Sequence, residues 1–485
     1  MSAIVTQPHI SVTPDPFEPC PELSTSISNE TSSSHSIPIQ KSNSTSRLGS
    51  LFSSHSSQSL KMTPTTNDGP LNRRRSSGAQ SLASVESTEH RHRFGKSIGN
   101  LIASPASWTR KHWHQHRSEP ASPSSPSANV PKLNEKYGHY VKPDKKASTK
   151  AAGATNKNNI GSGATAVIRL VQSNGRTLAV KEFIKRDKNE DQKEYLKRMH
   201  NEYCISKTVS GNVNVVETID LVVDEHDRWC TVMEYCDGGD LFNLLTEKST
   251  MTVMECACLF KQLMLGLAHL HHLGIAHRDI KPENLILTKG GTLKIADFGV
   301  ADVVQTCFEK EPHVCHKWCG SEPFWSPELW NLKDKEDGYD GQALDIWSAA
   351  ITYFCIRFQQ LPFAVAFYTP GGRPTSPPQG AKAGSPAAVS AAASDGGDKA
   401  YGLYVEQRNK PQTCDIWDSF GGDTGTERLT KDEIECLAGM LDPNPETRWT
   451  VDQVLDSNWL RSVELCNDGE LPNGWRHYHN TSDSK

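Results

Sequence analysis

The chain has 485 residues, with 52 basic and 57 acidic side chains for a formal net charge of -5, and only 36% of its residues are hydrophobic. A balance so near neutral argues against nucleic-acid binding and against a general affinity for membranes, while the low apolar content implies that part of the chain does not pack. Thirteen cysteines are scattered without the spacing of a disulfide scaffold, and no basic start followed by an apolar core marks a secretory signal.

Residues 1–132 are rich in Ser, Thr and Pro, with no sustained period of 2 or 3.6. Such a segment cannot bury enough apolar area to offset its ordering entropy, and is expected to be a disordered regulatory region. Within it Ser76 and Ser77 follow three arginines, and Ser104, Ser122 and Ser125 each precede proline, patterns that upstream kinases use. The cluster "WTRKHWHQHR" (108–117) reads as a solvated basic patch, with peripheral contact to acidic lipid headgroups as the sharper alternative.

Folded structure is expected from 133 to 461. After a Lys- and Ala-rich spacer, "NNIGSGATAVIRLV" reads as strand, glycine turn and strand, and "RTLAVKEFI" as a third strand. Asn189 to Thr208 turns helical, and two more strand-like runs follow, "VVETIDLVV" and "RWCTVMEY". The result is a small sheet with one helix packed on it, over about 133–235.

From about 236 the chain becomes mainly helical. Val253, Cys256, Phe260, Leu263, Leu267 and Leu270 recur at helical steps, and Gly274 sits where that helix would stop. "QALDIWSAAITYFCI" is apolar nearly all round, as in a helix buried within a large lobe, and its most apolar part is too short to span a bilayer. The Ala-, Gly-, Ser- and Pro-rich stretch at about 364–399 is expected to be a disordered insertion, and 462–485 a polar tail.

The chemistry concentrates in "HRDIKPENLILTKGGTLKIADFG", from His277 to Gly299. Asp279 can take a proton from an incoming hydroxyl, Lys281 can meet a transferring phosphate, and Asn284 and Asp297 can hold magnesium. Upstream, Gly161 and Gly163 in "IGSGATAV" suit a backbone turn lying over phosphates, and Lys181 follows in "LAVK". A lysine there neutralises phosphate charge and is held by a helix carboxylate, Glu202, with Glu194 as the alternative. "CHKWC" (315–319), with His313 and His316 near it, invites a zinc reading, but no second ligand pair follows at finger spacing and ordinary thiols are expected.

These motifs, in this order, resemble a eukaryotic protein kinase over roughly two-thirds of the chain. The resemblance implies an α+β bilobal fold, a small antiparallel sheet lobe with one main helix over a larger helical lobe, binding ATP with Mg2+. It implies that Ile160, Gly161, Ser162, Gly163, Ala164, Val167, Ala179 and Leu287 enclose the nucleotide. By the same resemblance Met233 stands behind the adenine, Glu234 and Cys236 offer backbone hydrogen bonds to it, and Asp240 reaches the ribose. Lys281 and Ser321 resemble the serine/threonine class, Glu328 should pair with Arg448, and Asp345 should hold the catalytic loop.

Two departures stand out: Ala166 replaces the third glycine of the usual turn, and Lys317 occupies the usual activation-loop phosphoacceptor position, about nine residues before Ser326. Thr306 is the substitute phosphoacceptor that this implies. "IGSGATAVIRL", "EYCISKTV", "GIAHRDIKPENLILT" and "CGSEPFWSPEL" look like the fungal HAL/NPR-type kinases, which implies regulation of plasma-membrane ion and nutrient transporters. The expected partners are proteins bearing Ser or Thr, for a cytoplasmic monomer. The competing reading is a pseudokinase, a scaffold that uses the fold to hold partners.

Overall fold

A computed structural model of the chain describes residues 130–141, 160–162, 166–184, 186, 190–247, 251–332, 337–369, 396–420 and 427–479. The N-terminal serines and the basic cluster lie outside the described residues, as do Gly163, Ala164 and 370–395 of the expected insertion.

The alternating runs form one antiparallel sheet of five strands: β1 (Gly161–Ser162), β2 (Ala166–Ser173), β3 (Arg176–Phe183), β4 (Thr218–Val223) and β5 (Trp229–Glu234), ordered β1-β2-β3-β5-β4. Because side chains alternate along a strand, β3 divides its residues between two faces. Leu178 and Val180 join Val171, Val222, Cys230 and Val232 under Leu133 and Tyr137, at the short helix α1 (Leu133–Lys136). On the opposite face Phe183 packs on Tyr195 and Met199 of α2 (Gln192–Thr208).

The remainder is mainly helical: α3 (Leu241–Glu247), α4 (Val253–His272), α5 (Pro327–Trp330), α6 (Gly341–Phe358), α7 (Lys399–Gln407), α8 (Lys431–Met440), α9 (Val451–Leu455) and α10 (Asn458–Ser462). Two small strand pairs sit among them, β6 (Ile275–Ala276) with β9 (Asp302–Val303), and β7 (Leu285–Leu287) with β8 (Leu293–Ile295). A capping box between Thr252 and Glu255 starts α4. Past its end Gly274 has φ +68°, and a Cβ there would lie 2.0 Å from the Gln305 carbonyl oxygen. Only glycine permits both the turn and the close approach. By length and composition α4 could cross a membrane, but 72% of its apolar window is buried within the fold. It is a core helix, packed with the almost wholly buried α6.

Two boundaries differ from the sequence reading. Residues 364–369 and 396–399 are not part of an unstructured insertion: Ala366 and Phe367 are buried, and Tyr368 bridges Gly397. Their small, turn-rich composition hid the few apolar anchors. Nor does order end near Leu460. Residues 463–479 run back over the lobe, where Lys261 donates to the Val463 carbonyl (2.8 Å) and the Tyr478 N–H donates to Glu255 (2.7 Å). Leu471, His477 and His479 are buried there.

The ion pair expected between Glu328 and Arg448 is bidentate, at 2.7 and 2.8 Å, and the Arg448 side chain is fully buried against Trp347. Replacing Arg448 by Ala strands a partly buried carboxylate, so unfolding free energy should fall by about 3–5 kcal/mol. Urea denaturation of the full chain checks this, and a loss below about 1 kcal/mol, the scale of an exposed pair, would contradict it.

Candidate active site

Tyr195, Met199 and Glu202 are buried along one face of α2. Packing the first two on Phe183 therefore delivers the carboxylate to Lys181, two residues earlier on β3. Lys181 is 6% exposed and donates to both Glu202 and Asp297, the latter at 2.8 Å. Glu194, the alternative partner, is exposed. Burial works against the Lys181 charge, but the two carboxylates outweigh it and raise its pKa. Burial likewise opposes the Asp297 anion; attraction to Lys181 prevails and holds that carboxyl down at about 2. Glu202 is pushed upward, because its burial outweighs its share of the lysine.

The sheet register decides which neighbours share this face. Residues directly opposite one another point to the same side, and Lys181 stands opposite Ile168 and Thr231. Ala179 and Met233 are opposite each other on the same face. Val167 is paired with Glu182, so it points away from the cleft; Ile168 takes its place. Leu287 is also misplaced by the sequence reading. It is fully buried in the core with Leu285, and strand alternation turns the half-buried Ile286 the other way, bridged to Asp240. Ile160 and Gly161 lie at the sheet edge, Gly161 opposite Ile168 and Ser162 opposite Val167.

At the end of β5, Glu234 ion-pairs with Lys294 at 3.0 Å and accepts from the Glu217 N–H. Cys236 is buried, which pushes its thiol up to about 12. The half-buried Asp240 accepts from the backbone and side chain of Asn243 at the start of α3.

Below the sheet, Asp345 is fully buried on α6 and accepts from the N–H groups of His277 (2.8 Å) and Arg278 (2.7 Å). This holds Arg278 at φ +66°, a conformation costing a non-glycine residue about 1–3 kcal/mol. The next residue, Asp279, then projects outward. Ser321 donates to its carboxylate at 3.0 Å, and Lys281 lies 2.7 Å from the Ser321 hydroxyl and 3.0 Å from the carboxylate. Gly320 lets Ser321 come so near, since a Cβ there would stand 2.4 Å from the Arg278 carbonyl. The Asn284 side-chain amide N–H also donates to the Asp279 carboxylate (3.0 Å). His277 is structural: its ring meets the Ala296 carbonyl and the edge of Phe298.

Asn284 spends its N–H groups on Asp279, so its amide oxygen and the half-exposed Asp297 carboxylate are the hard oxygen donors of this cleft. That donor set fits magnesium. Arg278 is engaged by groups of the chain itself. Its guanidinium donates to the Val300 carbonyl (2.8 Å), faces Asp302 at 3.3 Å, and reaches the Tyr339 hydroxyl. Lys317 is exposed, while Thr306 hydrogen-bonds Glu309, an anion that would repel a phosphate there. In "CHKWC", Cys315 is buried with its thiol up at about 12, and among the described residues no ligand cluster forms there.

A protein kinase domain family model matches residues 154–460. The chain belongs to the protein kinase family. Its kinase domain is 35% identical to the serine/threonine-protein kinase hal4 of Schizosaccharomyces pombe over 318 residues, which is 64% of this chain and 43% of that protein. It is 33% identical to the serine/threonine-protein kinase HAL4/SAT4 of Saccharomyces cerevisiae, over 64% of this chain and 46% of the relative. A third relative, the nitrogen permease reactivator protein of Saccharomyces cerevisiae, is 30% identical over 67% of this chain and 42% of its own length. The matched region thus spans less than half of each of these relatives.

The depressed Asp297 carboxyl fixes a pH dependence. A carboxylate whose folded pKa lies below its unfolded value, about 3.9, stabilises the fold above that value and loses the contribution as pH falls toward 2. The stability difference between wild type and Asp297→Asn should therefore be constant from pH 8 to about 5 and shrink below about 4. Urea titrations across that range check it; a difference that changes near pH 7 would contradict the assignment.

Proposed function

We propose that the chain is a serine/threonine protein kinase that transfers the γ-phosphoryl group of ATP to hydroxyls of protein substrates. The observation that carries this reading is the convergence of Lys181, Glu202 and Asp297 above Asp279, Lys281 and Ser321, each already in hydrogen-bond contact with its neighbours. Bound Mg-ATP would supply the phosphoryl group and a cation that neutralises developing charge. Lys181 would hold the α- and β-phosphates, and Asn284 and Asp297 would hold the metal. Asp279, kept in place by Ser321 and Asn284, would orient the incoming hydroxyl and accept its proton, while Lys281 would meet the charge on the transferring group. Ile168, Ala179, Met233 and Ile286 would enclose the base, with Glu234 and Cys236 offering backbone hydrogen bonds and Asp240 the ribose contact.

Asp302 stands where a phosphate would otherwise neutralise Arg278, so the activation segment is proposed to be held without phosphorylation. The pseudokinase alternative is disfavoured because a scaffold has no need of a satisfied base–lysine–serine cluster. The relative named nitrogen permease reactivator protein supports a role in regulating plasma-membrane transporters, in line with the sequence motifs. Acting on such targets from the cytoplasmic side requires no span of its own.

The test is labelled phosphate transfer from Mg-ATP to a basic protein, followed by phosphoamino-acid analysis. Asp279→Asn should lower the rate by about 10²–10⁴-fold with nucleotide affinity little changed. Equal transfer by the variant, or none by wild type despite tight Mg-ATP binding, would overturn the reading.

A further inference from the structure

Away from the phosphoryl-transfer cleft, four side chains distant in sequence converge: Cys258 on α4, and Cys466, His477 and His479 from the segment that follows α10. Each contributes one ligand-type atom, and these atoms all lie within 4.8 Å of one another. The sulfurs of Cys258 and Cys466 are 3.6 Å apart, and His479 Nε2 is 3.4 Å from the Cys466 sulfur. Four ligands around a tetrahedral zinc, with bonds of about 2.3 Å to sulfur and about 2.0 Å to nitrogen, stand about 3.3–3.8 Å from each other. The sulfurs are well beyond the length of a disulfide, about 2 Å, and both are free thiols.

The surroundings are those of a metal site rather than of a packed core. His477 is 8% exposed and His479 1%, yet among the described residues both ring nitrogens of His477 and Nδ1 of His479 have no hydrogen-bond partner. Buried polar atoms are rarely left so. The thiols, in contrast, receive N–H groups. Gln262 points its amide at both sulfurs (3.5 and 3.8 Å), and the Cys466 N–H donates to Cys258 (3.5 Å). Donors aimed at sulfur stabilise thiolates and orient them as ligands.

We propose that Cys258, Cys466, His477 and His479 form a structural zinc site. Two thiolates and two imidazoles select zinc over magnesium or calcium, and four protein ligands leave no open position for catalysis. The role is therefore to clip the C-terminal segment onto the lobe. That segment also reaches the turn between β7 and β8, where Thr288 and Thr292 donate to Asp468 at 3.1 and 2.7 Å. The clip thus braces the hairpin that carries Asn284 just before it and Asp297 just after it.

The test is elemental analysis of the full chain purified without chelator, alongside Cys466→Ser/His479→Ala and His316→Ala/Cys319→Ser variants. One zinc per chain is expected in wild type and in the second variant, and none in the first. Chelation should lower the Tm, and zinc alone should restore it. Where the first variant fails to fold, cobalt(II) added to the chelated wild-type chain decides. One equivalent should give the thiolate charge-transfer band and the intense visible bands of a tetrahedral site. Wild type without zinc and without those bands would overturn the proposal, as would a folded first variant that keeps its zinc or a second variant that loses it.

Discussion

Lys181 sits between two carboxylates that come from different parts of the molecule, Glu202 on α2 and Asp297 beyond β8. A buried ammonium is costly unless paired, so its burial on β3 obliges both partners to stay in place. The small sheet, α2 and the helical lobe are thereby coupled through a single cation. Nucleotide phosphates would enter beside a charge already desolvated and already oriented, which is the preorganisation that phosphoryl transfer needs.

The lower half of the site depends on stored strain. Arg278 and Asp297 both have positive φ, and neither is glycine. Asp345 over-determines the first through two backbone N–H groups, while Lys181 and the Gly299 N–H hold the second. Strain of this kind persists only where the surroundings fix it. Here the surroundings are the core helix α6 and the ion pair itself. Arg278 also faces Asp302 in β9.

What the sequence made legible follows from how local each signal is. The His277–Gly299 stretch, Lys181 and the Glu328–Arg448 pair were readable because their chemistry lies in residue type and order. Glu202 is the preferred partner of Lys181 from the sequence, and packing on Phe183 fixes the helix rotation that brings it there. Val167 and Leu287 were misassigned because one residue of register moves a strand side chain to the other face. The edges of the 364–399 stretch and the segment after Leu460 looked unstructured because their anchors are few: Phe367, Leu471 and two histidines. Cys258 gave no motif signal at all. Its partners lie more than two hundred residues away, a separation that no local spacing rule spans.

Ionic contacts within the chain, rather than a phosphate on the activation segment, are proposed to hold this site assembled. The direct measurement is the rate of phosphate transfer after exhaustive phosphatase treatment, with mass spectrometry verifying that no phosphate remains between Asp297 and Glu328. The turnover rate of the dephosphorylated chain should match that of the untreated chain. A rate that collapses, and that recovers when a residue of that segment is rephosphorylated, would contradict it.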